Sequence, residues 1–201
     1  MVPRLTAALV ALMGLQAAAA VLDLAFPPNL ARGQEASPVV LDRRGAWLRA
    51  LPVEDGRWRI RADLSRTDPA FLDALVAIED ARFWRHPGVD PLAVIRASAQ
   101  AVAQGEASSG ASTLTMQTAR LLEPRPRTLA AKLVEMVRAL QSEARLSKAD
   151  ILALYLTLAP YGGNLEGVRA ASLSYFGQEP SSLTPAQQAL LIALPQAPER
   201  T

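Results

Sequence analysis

Helix-start signals recur along the chain from residue 68 onward, and they constrain its fold more than any other feature. At such a start a side-chain oxygen accepts from free backbone N–H groups, and proline fits the first turn because it lacks an N–H. The signals are Asp68-Pro69, Asp90-Pro91, Thr128, Ser147 with Asp150, and Thr184-Pro185 with Gln187. They predict about six helices: Gly105 ends the one opened at Asp90, a long one runs from Thr128 to about Arg145, and the last ends at Pro195.

An uncharged run near the N-terminus predicts contact with a membrane. Arg4 precedes the run Leu5 to Leu22, which is about the minimum length that spans a bilayer as a helix. The charge before the run places the N-terminus in the cytoplasm. We expect residues 1–26 to be an uncleaved anchor; a cleaved signal peptide ending in the alanine run and a buried soluble helix are the alternatives. Either of the first two places the rest of the chain outside the cytoplasmic membrane.

Two short segments separate this run from the helices. Residues 27–37, PPNLARGQEAS, have the composition of a linker. Residues 38–66 predict a small β element, with two short strands around a turn at Arg43–Gly45 and a third strand in the alternating segment RWRIR at 57–61. Residues 67–201 then form the helical domain. No internal repeat is present, so the sequence predicts an anchor, a small sheet and a mainly α domain.

The composition excludes several common kinds of site. The 201 residues include no cysteine, which removes disulfides, thiolate metal ligands and cysteine nucleophiles. Lys132 and Lys148 are the only lysines, and neither follows a serine by three positions, so the chain has no Ser-x-x-Lys nucleophile. The net charge of +2 is too small to indicate nucleic-acid binding. Hydrophobic residues make up 50% of the chain, enough for one medium domain with a core.

Polar and aromatic chemistry is concentrated in Ile78–Asp90, IEDARFWRHPGVD, which contains the only histidine. Leu72 and Val76 precede Glu79 at helical spacing, so Glu79 ends an apolar stripe on one helix face. Partial burial at such a position favours a carboxylate as a general base. The alternative is an ion pair with an arginine at the rim, either Arg82 or Arg85.

The other residues of this stretch, taken singly, have structural interpretations. Asp80 is one step round the helix from Glu79 and is interpreted as solvated or as a local cap. His86 is a structural hydrogen-bonding group, and Asp90 is an N-cap. Phe83 and Trp84 are core or membrane-surface residues.

Two further clusters suit an anionic substrate. Ser108–Arg120, SSGASTLTMQTAR, crowds hydroxyl groups where a turn runs into a helix, a place that suits an anionic oxygen; Ser112 as a plain N-cap is the alternative, and Gln117 alone is a surface residue. Residues 120–138 contain five cationic and two acidic residues, which indicates either phosphate binding or a solvated basic face. Lys132 and Glu135 share a helix face there. Either Lys132 binds phosphate and Glu135 is a second acid–base group, or the two form a helix ion pair.

The order and spacing of these clusters resemble the peptidoglycan glycosyltransferases of glycosyltransferase family 51, the module found in class A penicillin-binding proteins. EDARFWRHPGVD resembles the first family motif at every specified position, and GASTLTMQ, AKLVE, the segment 148–177 and LTPAQQALLIALPQAP resemble the other four. Departures from the family motifs occur at Ala111, Met116, Ala131, Ala153, Thr157 and Gln187. The resemblance covers residues 38–201 and is greatest to the penicillin-binding protein 1C branch.

The resemblance implies a mainly α, lysozyme-like fold with two lobes and a cleft, accompanied by the small N-terminal β element and the membrane helix. It implies polymerisation of lipid II, a disaccharide-pentapeptide on undecaprenyl pyrophosphate, at the bacterial inner membrane with the catalytic domain in the periplasm. Glu79 would be the base for the 4-hydroxyl of the acceptor GlcNAc, and Glu135 the second essential carboxylate, assisting the leaving group or holding a cation. The residues implied to contact substrate are Asp80, Phe83, His86, Gly88, Asp90, Ser112, Thr113, Thr115, Gln117, Arg120, Arg127 and Lys132.

The resemblance also implies partners and leaves rival functions. It implies no tightly bound cofactor, although Mg²⁺ serves many members of the family. The implied partners are lipid II, the growing glycan strand, the inner membrane and other cell-wall synthesis proteins, with no nucleic acid. The chain stops before the transpeptidase domain of class A proteins, so we expect a glycosyltransferase domain that is short at its C-terminus. The rivals are an inactive lipid II-binding relic and a lysozyme-like or lytic enzyme that uses Glu79 as an acid on finished glycan.

Overall fold

The structure, a computed structural model, describes residues 20–21, 23–45, 47–104, 112–126 and 128–196. It is mainly helical, as predicted. The helices are α1 (Ala31–Gln34), α2 (Pro69–Glu79), α3 (Pro91–Gln104), α4 (Leu114–Leu122), α5 (Leu129–Glu143), α6 (Lys148–Leu158), α7 (Val168–Phe176) and α8 (Pro185–Ala193). The strands are β1 (Val39–Leu41), β2 (Trp47–Ala50), β3 (Trp58–Arg59) and β4 (Leu165–Glu166). Most of the predicted anchor, Gly105 and Arg127 lie outside the described residues; within them, no helix has both the length and the apolar character to cross a membrane.

The predicted helix starts are confirmed by their caps. The Asp68 side chain accepts from the N–H of Ala70, and Asp90 accepts from the N–H groups of Leu92 and Ala93. Thr128 caps α5, which ends at Glu143. The pairs Ser147/Asp150 and Thr184/Gln187 form capping boxes in which side chain and backbone bond in both directions. These local hydrogen bonds satisfy N–H groups that a helix leaves free, which is why they could be predicted from sequence.

The β element is only partly as predicted. β1 and β2 pair antiparallel around the predicted turn, with an irregularity between Val40 and Leu41. The third strand does not join them, because β3 pairs in parallel with the distant β4. The reason lies in Arg59, whose guanidinium is fully buried and binds the buried carboxylate of Glu166 at 2.6 Å. An unpaired charge in the core costs several kcal/mol, so the ion pair draws β3 to β4.

The segment predicted as a linker is ordered and packed. Residues 31–34 form α1, which contacts α4 and α6. Gly33 in α1 is buried and its missing Cβ position lies 2.5 Å from Leu154 Cδ2, so α1 packs closely against α6. Arg32 donates to Glu166 at 2.6 Å, and the backbone N–H of Asn29 donates to Glu123. This segment therefore belongs to the domain.

One continuous core holds the helices together and fixes α4 at its centre. Residues from α2, α4, α6, α7 and α8 contribute to this core, and α4 packs along both α5 and α6. The buried residues of α4 are Leu114, Thr115, Met116, Thr118, Ala119 and Leu122. Gln117 and Arg120, one helical turn apart, stay partly exposed on this rigid helix. A helix so constrained presents these two side chains at a fixed separation.

Candidate active site

Glu79, the predicted base, is the last residue of α2 and is half-buried. Its Oε2 accepts a hydrogen bond from Nε2 of Gln117 at 3.0 Å, and its Oε1 accepts one from Nε2 of Gln196 at 2.8 Å. The sequence left open an ion pair between Glu79 and an arginine, but Glu79 is held by these two amides, and Arg82 forms its ion pair with Asp90. Gln196 lies in the last motif segment, LTPAQQALLIALPQAP, but it was not singled out from sequence, because no local pattern relates it to Glu79, 117 residues away.

Asp80 is buried, which corrects the interpretation of this residue as solvated. Only 8% of it is exposed. Its two oxygens lie 3.0 Å from Nε2 of His86, and Oδ2 also accepts from the backbone N–H of Leu114 at 2.9 Å. Nδ1 of His86 accepts from the N–H of Gly88 at 3.2 Å, so the ring proton lies on Nε2 and faces Asp80. Asp80 thus ties the loop after α2 to the start of α4.

Phe83 and Thr115, both implied to contact substrate, face the protein interior. Phe83 is fully buried, and the Lys148 ammonium lies 4.5 Å from its ring centre. The same ammonium donates to the His86 carbonyl at 2.7 Å and to Oε1 of Glu143 at 2.6 Å. Thr115 is also fully buried and donates to that Glu143 oxygen at 2.6 Å. Their visible contribution is to hold the loop that carries His86; direct substrate contact stays a prediction.

Thr113, and not Ser112, is the N-cap of α4, which corrects the alternative left open for Ser112. The Thr113 hydroxyl accepts from the N–H of Met116 at 3.1 Å and donates to the carbonyl of Gly88 at 2.5 Å. Ser112 is half-buried, and its hydroxyl accepts from Nζ of Lys132. Ser112 therefore belongs with the basic cluster, and Thr113 joins the loop after α2 to α4.

Gly88 lies where the loop crosses the backbone of α5. Its φ of +96° is one that side-chain-bearing residues rarely adopt, and a Cβ there would lie 2.8 Å from the carbonyl oxygen of Ala139. Gly45 has a similar φ of +79° but nothing within 4 Å of its Cβ position. The two glycines share the backbone requirement and differ in the space available.

We expect Gly88→Ala to destabilise the domain more than Gly45→Ala, measured as the free energy of unfolding in urea. Gly45→Ala carries only the backbone cost, about 1–2 kcal/mol. Gly88→Ala adds a clash with backbone that cannot rotate away, worth about 1–3 kcal/mol more. Equal losses in the two variants would show that the loop does not press on α5.

Glu135, the second carboxylate implied to act in catalysis, is buried and lies among cations. It is 5% exposed, and its Oε2 has no hydrogen-bond partner within the described part of the chain. Arg120 lies 3.9 Å from Oε1 and Lys132 lies 3.9 Å from Oε2, so the predicted pairing of Lys132 and Glu135 is a long ionic contact. Burial lowers the pKa of Lys132, the charge of Glu135 opposes this shift, and that of Arg120 adds to it. The arrangement is an electropositive centre with one carboxylate inside it.

Helix α4 joins the base to this electropositive centre. Gln117 touches Glu79, and Arg120, about 4.5 Å further along the helix axis, faces Glu135. Tyr155 lies near both ends: burial and then the charge of Glu79 raise its pKa, whereas Arg120 lowers it. Four residues predicted from sequence are therefore brought together at α4: Gln117 and Arg120 lie on this helix, and they contact Glu79 of α2 and Glu135 of α5.

A cavity of about 360 Å³ lies beside the base. Its lining includes Glu79, Asp80, Arg82, Asp90, Arg96, Ser112 and Thr113. Polar groups from α2, the loop after it and the start of α4 converge there, as is common for the binding site of a small polar ligand. The cavity leaves space for a polar ligand beside the Glu79 carboxylate.

The donors present do not fit a magnesium ion held by the protein alone. Mg²⁺ prefers several oxygen ligands, whereas Glu135 faces two cations, Arg120 and Lys132. Among the described residues no group of three or more acidic or histidine side chains could hold a metal. The magnesium expectation stays a prediction, and the mechanism below uses no metal.

The site thus consists of a half-buried carboxylate held by two amides, next to an electropositive centre on a helical domain. The transglycosylase family profile matches residues 45–201. The chain belongs to the transglycosylase family.

Several penicillin-binding proteins are similar to this chain. It is 47% identical to penicillin-binding protein 1C of Escherichia coli strain K12 over 81% of the chain and 21% of that protein. It is 42% identical to penicillin-binding protein 1A of the same strain over 70% of the chain and 17% of that protein. Penicillin-binding protein 1F of Bacillus subtilis strain 168 is 32% identical over 81% of the chain and 22% of that protein. The chain spans about a fifth of the length of these relatives.

Proposed function

We propose that this chain is a peptidoglycan glycosyltransferase that joins lipid II units into glycan strands. The observation that carries the proposal is the arrangement along α4, where Gln117 holds Glu79 and Arg120 faces the buried Glu135. Membership of the transglycosylase family supports the reaction class. The lysozyme-like, two-lobed form of the fold is part of the proposal and is supported by the mainly helical architecture.

In the proposed mechanism Glu79 acts as a general base. Its carboxylate takes the proton from the 4-hydroxyl of the acceptor GlcNAc, and that oxygen forms a bond to C1 of the donor MurNAc. The bond from C1 to the pyrophosphate oxygen breaks with inversion, and undecaprenyl pyrophosphate leaves with the electron pair. Glu79 is suited to this step because its partner Gln117 is uncharged and does not compete with the incoming hydroxyl for the carboxylate.

The electropositive centre has a separate role in the proposal. Arg120 and Lys132 would neutralise the charge that grows on the pyrophosphate as the bond breaks. Glu135 would assist departure of that group by holding the two cations beside it, since its carboxylate oxygens lie 3.9 Å from Arg120 and from Lys132. Arg127 is assigned to the same task by resemblance alone. The base and the leaving-group centre would then act on the two sugars that meet between them.

The proposed location is the outer face of the bacterial inner membrane, where a lipid-linked substrate is found. Large apolar side chains are exposed on α2, on α3 and in the loop between them, namely Ile78, Trp84, Leu92 and Ile95; Ile78 also lines the cavity. Exposed apolar groups of this kind suit the surface of a bilayer. They support the expectation that the helices around residues 83–104 dip into it. The N-terminal anchor and contacts with other cell-wall synthesis proteins are further parts of the proposal.

The test of the proposed function is a substrate comparison with the purified chain in detergent. Lipid II labelled in the sugar is expected to become glycan polymer that lysozyme digests, and finished peptidoglycan is expected to remain intact. Digestion of finished peptidoglycan would favour the hydrolase rival. Binding of lipid II by a folded chain, with no polymer formed, would favour the inactive relic.

A further inference from the structure

Gln196 makes a contact with the base that the reaction scheme above does not use. It lies in the 3₁₀ turn Leu194–Gln196 that follows α8, and its Nε2 donates to Oε1 of Glu79 at 2.8 Å. Gln117 donates to the other oxygen, Oε2, at 3.0 Å. Each oxygen of the carboxylate is thus held by a different amide, and the two amides come from elements far apart in the chain.

We propose that Gln196 is a positioning residue that fixes the carboxylate plane of Glu79 for proton transfer, an inference that rests on the proposed function. A glutamate at the end of a helix rotates freely about its last side-chain bond unless both oxygens are held. Gln117 alone restrains one oxygen and leaves that rotation available. The amide of Gln196, which comes from another element, prevents this rotation. The free lone pairs of the Glu79 carboxylate then point into the neighbouring cavity.

The surroundings of Gln196 suit this role. Leu194 in the same turn is buried, as are Leu191 and Ile192 in α8, and α8 contacts α2, the helix that carries Glu79. The turn is therefore anchored in the core, while the Gln196 side chain is exposed beside the base. Packing of Leu194 and α8 fixes the backbone of the turn, and the side chain of Gln196 remains available to contact Glu79.

The chemistry of the amide also suits it. A carboxylate only accepts hydrogen bonds, so the group of Gln196 that faces it is the NH₂. An amide donates without taking up the proton that Glu79 must receive. A glutamate at this position would repel Glu79, and an apolar residue would leave Oε1 without its donor.

The kinetic test compares Gln196→Leu and Gln196→Glu with Leu190→Ala, an exposed position on α8, as a matched control. With lipid II, we expect kcat to fall about 10- to 100-fold in Gln196→Leu, since misplacement of a catalytic group by about 1 Å costs that much. The loss should be greater in Gln196→Glu, while KM and the melting temperature stay at wild-type values. Unchanged kcat, or a loss confined to KM or to the melting temperature, would overturn the proposal.

A second readout does not depend on activity. The side-chain amide protons of Gln196, assigned by NMR in detergent, are expected to shift when Glu79 is replaced by alanine and to keep their positions in Leu190→Ala. An amide signal unaffected by Glu79→Ala would overturn the contact on which the proposal rests. If the wild-type chain forms no polymer, the proposed function fails, and this signal still decides whether Gln196 holds Glu79.

Discussion

Glu79→Gln is expected to lose roughly 10²–10⁴-fold in kcat for lipid II polymerisation, the size of a general-base contribution. The substitution keeps the shape and length of the side chain and removes only the ability to take up a proton. Gln117 can still donate to the remaining carbonyl oxygen, and the Gln196 amide can turn to present its oxygen to the new NH₂, so the site should keep its form. Polymer is measured by gel after labelling, and binding of lipid II is measured separately and expected to stay within about threefold of wild type.

Glu54→Gln is the matched control for this prediction, because Glu54 is an exposed carboxylate in the turn before β3. We expect it to polymerise lipid II at the wild-type rate. Polymer formation that survives in Glu79→Gln would show that another group is the base, and Glu135, the other carboxylate proposed to act in catalysis, would be the next residue to replace.

Arg59→Met is expected to lower the free energy of unfolding by about 3–5 kcal/mol, the usual loss when one partner of a buried ion pair is removed. Arg59 is fully buried and holds Glu166, which is 3% exposed, together with Glu35 and Asp55. Methionine keeps most of the volume but leaves the Glu166 carboxylate buried with fewer donors. Urea unfolding followed by circular dichroism measures the loss.

The exposed Arg43 in the β1–β2 turn supplies the control, since Arg43→Met should change stability by less than about 0.5 kcal/mol. Arg32 and Arg57 also reach Glu166, so part of its charge stays compensated and the loss should not exceed the stated range. A loss below about 1 kcal/mol in Arg59→Met would contradict the view that this ion pair fixes β3 against β4.

Features governed by neighbouring residues could be predicted from the sequence. The caps at Asp68, Asp90, Thr128, Ser147 and Thr184 depend on hydrogen bonds within a few positions, and each is in place. The same holds for the hairpin of β1 and β2. The amphipathic spacing that ends in Glu79 correctly placed this residue at a half-buried helix end, because helical periodicity is also a local property.

Features governed by distant residues could not be predicted. The pairing of Arg59 with Glu166, 107 residues away, is formed only by the tertiary fold. Because of it, β3 pairs with β4 and not with the strands predicted from sequence. Asp80 looked solvated because its partner His86 and the N–H of Leu114 come from later elements. Lys148 carried no local signal for its contact with Glu143 and the loop after α2.

The family resemblance also implied direct substrate contact for several side chains that the structure buries, and that contact stays a prediction. Asp80, Phe83, His86 and Thr115 are buried and bound to other protein groups. A motif preserves residues that hold a site as well as those that touch the substrate, and sequence alone does not separate the two. Burial and hydrogen-bond partners show which side chains also hold protein elements together, as Asp80 does between His86 and Leu114.

The most direct test of the central claim is to count products formed from lipid II by the purified chain. The proposal requires one undecaprenyl pyrophosphate to be released for each new glycosidic bond, measured by chromatography of the lipid beside the disaccharide units recovered from the polymer. The predicted result is a ratio of released lipid pyrophosphate to new glycosidic bonds near one, with both products absent in Glu79→Gln. Release of lipid pyrophosphate without new glycosidic bonds, or cleavage of finished glycan in its place, would contradict glycosyl transfer at this site.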